Sequence, residues 1–184
     1  PPRSTLFPYT TLFRSYLLKQ DIRWADGTGF TCADVQFTHQ AILSSSNAAA
    51  YRNIESVECP DDYTTVISLE KVYAPYLNLF RYIIPRSAGD LTNIDEWEYH
   101  KAPIGTGPWV IKEWQAGSHI ELAPNPYYRE EGKPYLDGVI LRMIPSREAG
   151  MQLLNNGELT VLDGLTEADF DILEIGRASC RERV

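Results

Sequence analysis

An α+β, or mixed α/β, domain is the fold class that this 184-residue chain predicts. Two pairs of β-like runs carry the prediction first: Ile54 to Glu58 with Thr64 to Leu69, and Trp109 to Trp114 with His119 to Ala123. Short turn-forming stretches join each pair, so hairpins and antiparallel pairing are expected. Two capped helical stretches are the second observation, one from Ala33 to about Ser46 and one from Ser146 to Asn156. The third is their order, which mixes strands and helices without a repeat.

Composition supports a folded domain: 43% of residues are hydrophobic and 23% charged. The net charge of −8 argues against a nucleic-acid binder, which needs clustered Lys and Arg. No apolar run approaches the ~18 residues of a membrane span. Cys32, Cys59 and Cys180 have no metal-ligand spacing, and an odd count argues against a disulfide framework. The N-terminus shows no basic stretch followed by an apolar core.

Both ends read differently from the middle. Residues 1–15 (PPRSTLFPYTTLFRS) follow neither helical nor strand period, and residues 174–184 (EIGRASCRERV) carry a short run of Arg. Both resemble translated sequencing-adapter sequence and are expected to be non-native. Residues 16–173 hold twelve of the Lys and Arg against 23 of the Asp and Glu, a net −11. They are expected to be an internal piece of a longer protein.

Tyr16 to Arg23 reads as a strand, and Trp24-Ala25-Asp26-Gly27 as a turn. Thr31 with Asp34 three residues on reads as a capping box for the first helix. Val35, His39, Ile42 and Leu43 are its expected inner face. Asp26 and Asp34 could be drawn as a catalytic carboxylate pair, but turn and cap roles account for both. Ser44 to Ala50 reads as a loop or frayed helix. In the first hairpin, Pro60-Asp61-Asp62 makes the turn, and Ile54, Val57 and Val66 with its period-two neighbours point inward. Cys59 is expected to be a small packed residue. Pro75 to Tyr82 reads as a short aromatic helix, and Asp95 to His100 as one helical turn. His100 has no partner at ligand spacing, so no metal site is expected.

Ala102 to Tyr128 is the stretch around which the rest is organised. Gly105, Gly107 and Pro108 are expected to set a tight loop through positive φ and a fixed proline. A phosphate cradle is excluded by context: a strand follows where a helix N-terminus is needed. Downstream come a strand from Val139 to Ile144, the helix capped by Ser146 and ended by Gly157, a strand from Leu159 to Leu162, and a last helix capped by Thr166 with Asp169.

Four strings then carry a resemblance. PIGTGPWVIKEWQAGSHIELAPNPYY (103–128), WADGTGFTCADVQFT (24–38), KPYLDGVILRMIPS (133–146) and LLNNGELTVLDGL (153–165) together resemble the peptide/nickel class of solute-binding proteins that serve ABC importers. Gly29 stands where that family commonly has Pro, Cys32 where it has Ala, and Thr160 where it has Asp. The resemblance implies a two-lobed, periplasmic-binding-protein-like fold whose lobes close on ligand about a hinge. It implies that 16–101 is a peripheral subdomain of lobe one and 102–173 part of that lobe's central sheet. The implied function is capture of a short peptide or related solute, and delivery to ABC permease membrane subunits. The implied place is the periplasm or the outer face of the cytoplasmic membrane, as a monomer, with no cofactor and no bond chemistry. Tyr51 is the candidate ligand contact, a packing role being its alternative. A ligand-sensing domain of a transcriptional regulator shares the fold. A hydrolase is disfavoured, because no nucleophile elbow, His-Glu-x-x-His or Cys–His pairing is present.

Overall fold

The computed structural model describes residues 12–45, 48–49, 51–91, 94, 97–167 and 169. They form two compact units, 12–114 with 121–140 and 115–120 with 141–169.

The larger unit is built on a three-stranded antiparallel sheet in the order β1-β3-β2, with β1 Phe13–Leu17, β2 Ile54–Asp61 and β3 Thr64–Leu69. Phe13 pairs with Ser68 and Leu17 with Thr64, so three residues expected to lie outside the fold, Phe13 to Ser15, take a place in the sheet. The strand expected over Tyr16 to Arg23 stops at Leu17. Beyond it the chain bonds its own downstream turn, with Trp24 N–H donating to Thr28 and Phe30 N–H to Ile22. β2 runs three residues further than expected. A register shift between Glu58 and Asp61 sets Cys59 and Pro60 opposite Thr65, a bulge that accommodates a proline with no N–H to give. On β3 the buried face is Thr65, Ile67 and Leu69, not the Val66 face expected, because Ile67 and Leu69 join Ile54 in the core.

Helix α1, Cys32–Ser44, lies against β2 and β3. Thr31 is its N-cap, and the Asp34 carboxylate accepts the Thr31 N–H at 2.9 Å, as the sequence implied. Its buried face is Cys32, Asp34, Val35, Thr38 and Ala41; the expected Leu43 is exposed. Gln36 Nε2 reaches the Val57 carbonyl at 2.8 Å. Cys32 and Cys59 form a disulfide, with Cα atoms 5.7 Å apart. The odd cysteine count had argued against one. The reason it does not hold is spatial: the helix start and the bulge meet although 27 positions separate them in sequence. Ser46, Asn47 and Ala50 of the expected loop lie outside the described residues.

The expected helix over Pro75 to Tyr82 is a 3-10 segment, Ala74–Asn78, followed by Phe80 at φ 54. The helical turn near His100 is also 3-10, Glu98–His100. A second sheet has the order β4-β5-β6, with β4 Trp109–Gln115, β5 His119–Pro124 and β6 Val139–Arg142. Its first two strands form the hairpin the sequence announced, closed by Ser118 N–H on Gln115.

In the smaller unit, α2 spans Arg147–Asn155, and its N-cap Ser146 accepts the Ala149 N–H at 3.2 Å. Gly157 follows the C-cap at φ 76, the left-handed position that ends a helix. Leu159 to Leu162 is not a strand. Glu158 and Leu159 both donate back to the Leu153 carbonyl, which uses the donors a ladder would need, and Leu162 packs over Gly150. Thr166 donates to Asp169 through its N–H (2.7 Å) and its hydroxyl (2.6 Å), as a capping pair would; the helix beyond falls outside the described residues, as do residues 1–11 and 170–184.

Ile67 is 6% exposed at the centre of the first sheet. Ile67→Ala is expected to cost about 2–5 kcal/mol in urea unfolding, whereas Leu77→Ala, on an exposed side chain, should cost about 0.5 kcal/mol or less.

Candidate functional site

Two of the resemblance strings, 24–38 and 103–128, meet in the larger unit. Trp24 of the Trp-Ala-Asp-Gly turn is buried, and its indole N–H donates to Asp34 Oδ2 at 3.2 Å. The other Asp34 oxygen accepts the Arg86 N–H at 2.8 Å. With Thr31, that makes three donors from three stretches of chain on one carboxylate that is 5% exposed. One turn along α1, the Thr38 hydroxyl donates to the Asp34 carbonyl (2.8 Å) and accepts the Ile84 N–H (3.0 Å). Helix α1 therefore reads the Ile84–Arg86 segment through two adjacent side chains.

The same turn is tied to the Gly-Thr-Gly loop: Ala25 N–H donates to the Gly105 carbonyl at 3.0 Å. Asn125, only 4% exposed, closes the other side. Its Nδ2 donates to the Gly107 carbonyl (2.7 Å), its N–H to Pro108 (2.9 Å), and its Oδ1 accepts the Tyr127 N–H (2.9 Å) in an Asx turn. Gly27 sits at φ 87 with the Tyr127 ring pressed on it; a Cβ there would lie 2.9 Å from Tyr127 Cζ. The loop glycines themselves correct the expectation. Neither Gly105 nor Gly107 has positive φ, and no side chain lies where a Cβ would go. The loop works through its carbonyls.

Asp26 and Asp34 take the turn and cap roles that the sequence implied. Asp26 accepts the Thr28 N–H (2.8 Å) and hydroxyl (2.6 Å), and the Ser87 hydroxyl at 3.4 Å. Partial burial acts to raise its carboxyl, but the Thr28 and Ser87 donors outweigh it and hold it below the usual value. Every acceptor on Asp34 serves the fold.

Tyr51 begins a 3-10 turn, Tyr51–Asn53. Its ring is half-buried, edge-on to Phe80 with centroids 5.2 Å apart, and stacked near His39 at 6.5 Å. Its hydroxyl accepts the Phe80 N–H at 2.7 Å, which fixes Phe80 in its left-handed conformation. Burial raises the Tyr51 hydroxyl above its ordinary value despite that donor. Burial also pushes the His39 imidazole down, against a Tyr51 backbone hydrogen bond that acts the other way. Beside this cluster lies an apolar cavity of about 190 Å³ among Tyr16, Val35, Ile67, Tyr76, Leu79 and Phe80. It offers contact area but few polar groups to orient a ligand. Among the described residues, no group of three or more His, Cys, Asp or Glu gathers as metal ligands, and no helix is long and apolar enough to cross a membrane.

Residues 15–178 match the family described as bacterial extracellular solute-binding proteins, family 5 Middle. The chain belongs to that family. Within family 5, the oligopeptide-binding protein AppA of Bacillus subtilis (strain 168) is 31% identical over 153 residues, covering 77% of this chain and 28% of AppA. AppA in complex with a nonapeptide matches with a TM-score of 0.73 and 30% identity, over 84% of this chain and 32% of that one. NikZ from Campylobacter jejuni in complex with Ni(L-His) matches at 0.72 and 26% identity, over 80% of this chain and 31% of NikZ. The chain thus spans about a third of the length of the curated relatives it matches. Its α+β fold is that of a portion of these two-lobed binding proteins.

Sequence reasoning found Thr31, Asp34 and the Asn-Pro-x-Tyr turn. It missed the Trp24–Asp34–Arg86 node, because nothing local marks which buried N–H a carboxylate will serve.

Asp34→Ala leaves three N–H donors without their acceptor, and is expected to cost about 3 kcal/mol or more in urea unfolding. Thr28→Val should raise the Asp26 titration midpoint, followed by carboxyl-carbon NMR, towards about 3.9. The sign is that of a depressed carboxyl. Its contribution to stability is present above the unfolded-state value and is lost as pH falls through the folded one.

Proposed function

We propose that this chain is part of the substrate-binding component of an ABC importer. In this reading it helps capture a short peptide, or a related solute, outside the cytoplasmic membrane and deliver it to the permease subunits. The observation that carries the reading is the family match over residues 15–178. AppA, named for oligopeptide binding and solved with a nonapeptide, supports a peptide as the ligand class. The protein acts without bond chemistry and as a monomer.

In this reading residues 16–101 are a peripheral subdomain of lobe one, and 102–173 are part of its central sheet. Residues 1–15 and 174–184 are adapter-derived. The disulfide supports the extracytoplasmic placement, since such bonds persist in oxidising compartments. Tyr51 is the proposed ligand contact. With its hydroxyl held by Phe80, the ring face or edge is what it offers a ligand.

Resequencing the source locus across both ends should give one continuous frame through residues 16–173, with different codons outside it. The product of that frame should bind short peptides by calorimetry. Tyr51→Ala should then weaken the bound peptide roughly tenfold, while Tyr51→Phe keeps the affinity. Unchanged affinity in Tyr51→Ala, with a lower melting temperature, would assign Tyr51 to packing alone. A product that binds no peptide but a metal complex or an opine would overturn the ligand class.

A further inference from the structure

Cys32 and Cys59 do more than fill space. Cys32 is the first residue of α1 and has no accessible surface. Cys59 lies in the β2 bulge, next to Pro60 and opposite Thr65. Thr65, itself 1% exposed, turns its hydroxyl to Cys32 Sγ at 3.0 Å. The bond closes a span of 27 positions that contains all of α1 and the Tyr51–Asn53 turn. Two weaker tethers run in parallel: Cys32 N–H to the Asp62 carbonyl at 2.8 Å, and Gln36 Nε2 to Val57 at 2.8 Å.

We propose that the Cys32–Cys59 bond is a redox lock, which fastens the start of α1 to the β2–β3 hairpin only where the chain meets an oxidising compartment. Before oxidation the two hydrogen bonds hold the helix loosely. Oxidation removes two protons and two electrons from the paired thiols. The acceptor is the disulfide of a thiol–disulfide oxidoreductase, or glutathione disulfide, which leaves as two thiols. Cys59, the more exposed partner, forms the mixed disulfide first, and Cys32 then displaces the oxidant's second sulfur. The lock holds whatever solute the protein takes, so its failure and a failure of the peptide reading are separate results.

The test uses the whole chain with Cys180→Ser, so that no third thiol competes. After export to an oxidising compartment, peptide mapping without reductant should find the Cys32 and Cys59 peptides joined and thiol titration should find no free thiol. The same chain retained in a reducing cytoplasm should carry both thiols free. Dithiothreitol should lower the melting temperature of the exported protein by about 10 °C, the effect of opening a loop of this length in a domain of this size. The Cys32→Ala/Cys59→Ala variant should melt at the reduced value and ignore dithiothreitol. Free thiols in the exported protein, or a melting temperature unmoved by reduction, would overturn the lock. Both are read on the cysteine-bearing chain, so they decide even if the alanine variant does not fold.

Discussion

One carboxylate holds the larger unit to its shape. Removing a carboxylate from water is costly unless protein donors take over from the lost water. Asp34 is almost wholly buried, and the indole of Trp24 and the amides of Thr31 and Arg86 take over. These donors come from a turn, a helix start and a returning segment. None can move without leaving the charge underserved. Trp24 is thereby oriented into the core with Phe30 and Val35, and the start of α1 is tied to the Trp24 turn and to the Arg86 segment.

Two of the strings that reveal the family, 24–38 and 103–128, are therefore used in part to bind each other. The Trp-Ala-Asp-Gly turn takes the Gly105 carbonyl, Asn125 takes the Gly107 and Pro108 carbonyls, and Tyr127 lies on Gly27. Such a joint is made of backbone and ring contacts within the fold, and it says little about a ligand. AppA with a nonapeptide and NikZ with Ni(L-His) share this portion of the fold. Proteins solved with such different ligands share this scaffold, so the fold of this portion does not by itself name a ligand.

What was legible in the sequence was local. Thr31 with Asp34, Ser146, Gly157 and the Asn125 turn act within a few residues of themselves, and short-range chemistry decides them. What was not legible depended on distant partners. The inner face of β3 could not be chosen from a strand with Val66 on one side and Ile67 on the other until α1 covered one of them. Leu159 to Leu162 has strand composition, yet its amides are taken by the end of α2. The disulfide joined residues that no spacing rule connects. The candidate site was the least legible part: the sequence marked Tyr51 but gave no sign that Phe80 would occupy its hydroxyl.

Gly27 and Tyr127 share one volume, which couples two positions a hundred residues apart. Trimming the ring would make room for a methyl at position 27, yet the φ of 87 there would still disfavour any L side chain. The relation is one-sided. Position 127 is free to shrink while 27 stays glycine, but 27 has no freedom to grow on its own. Drift at this joint would have to begin at the tyrosine, and a lineage that lost the glycine first would have to rebuild the turn.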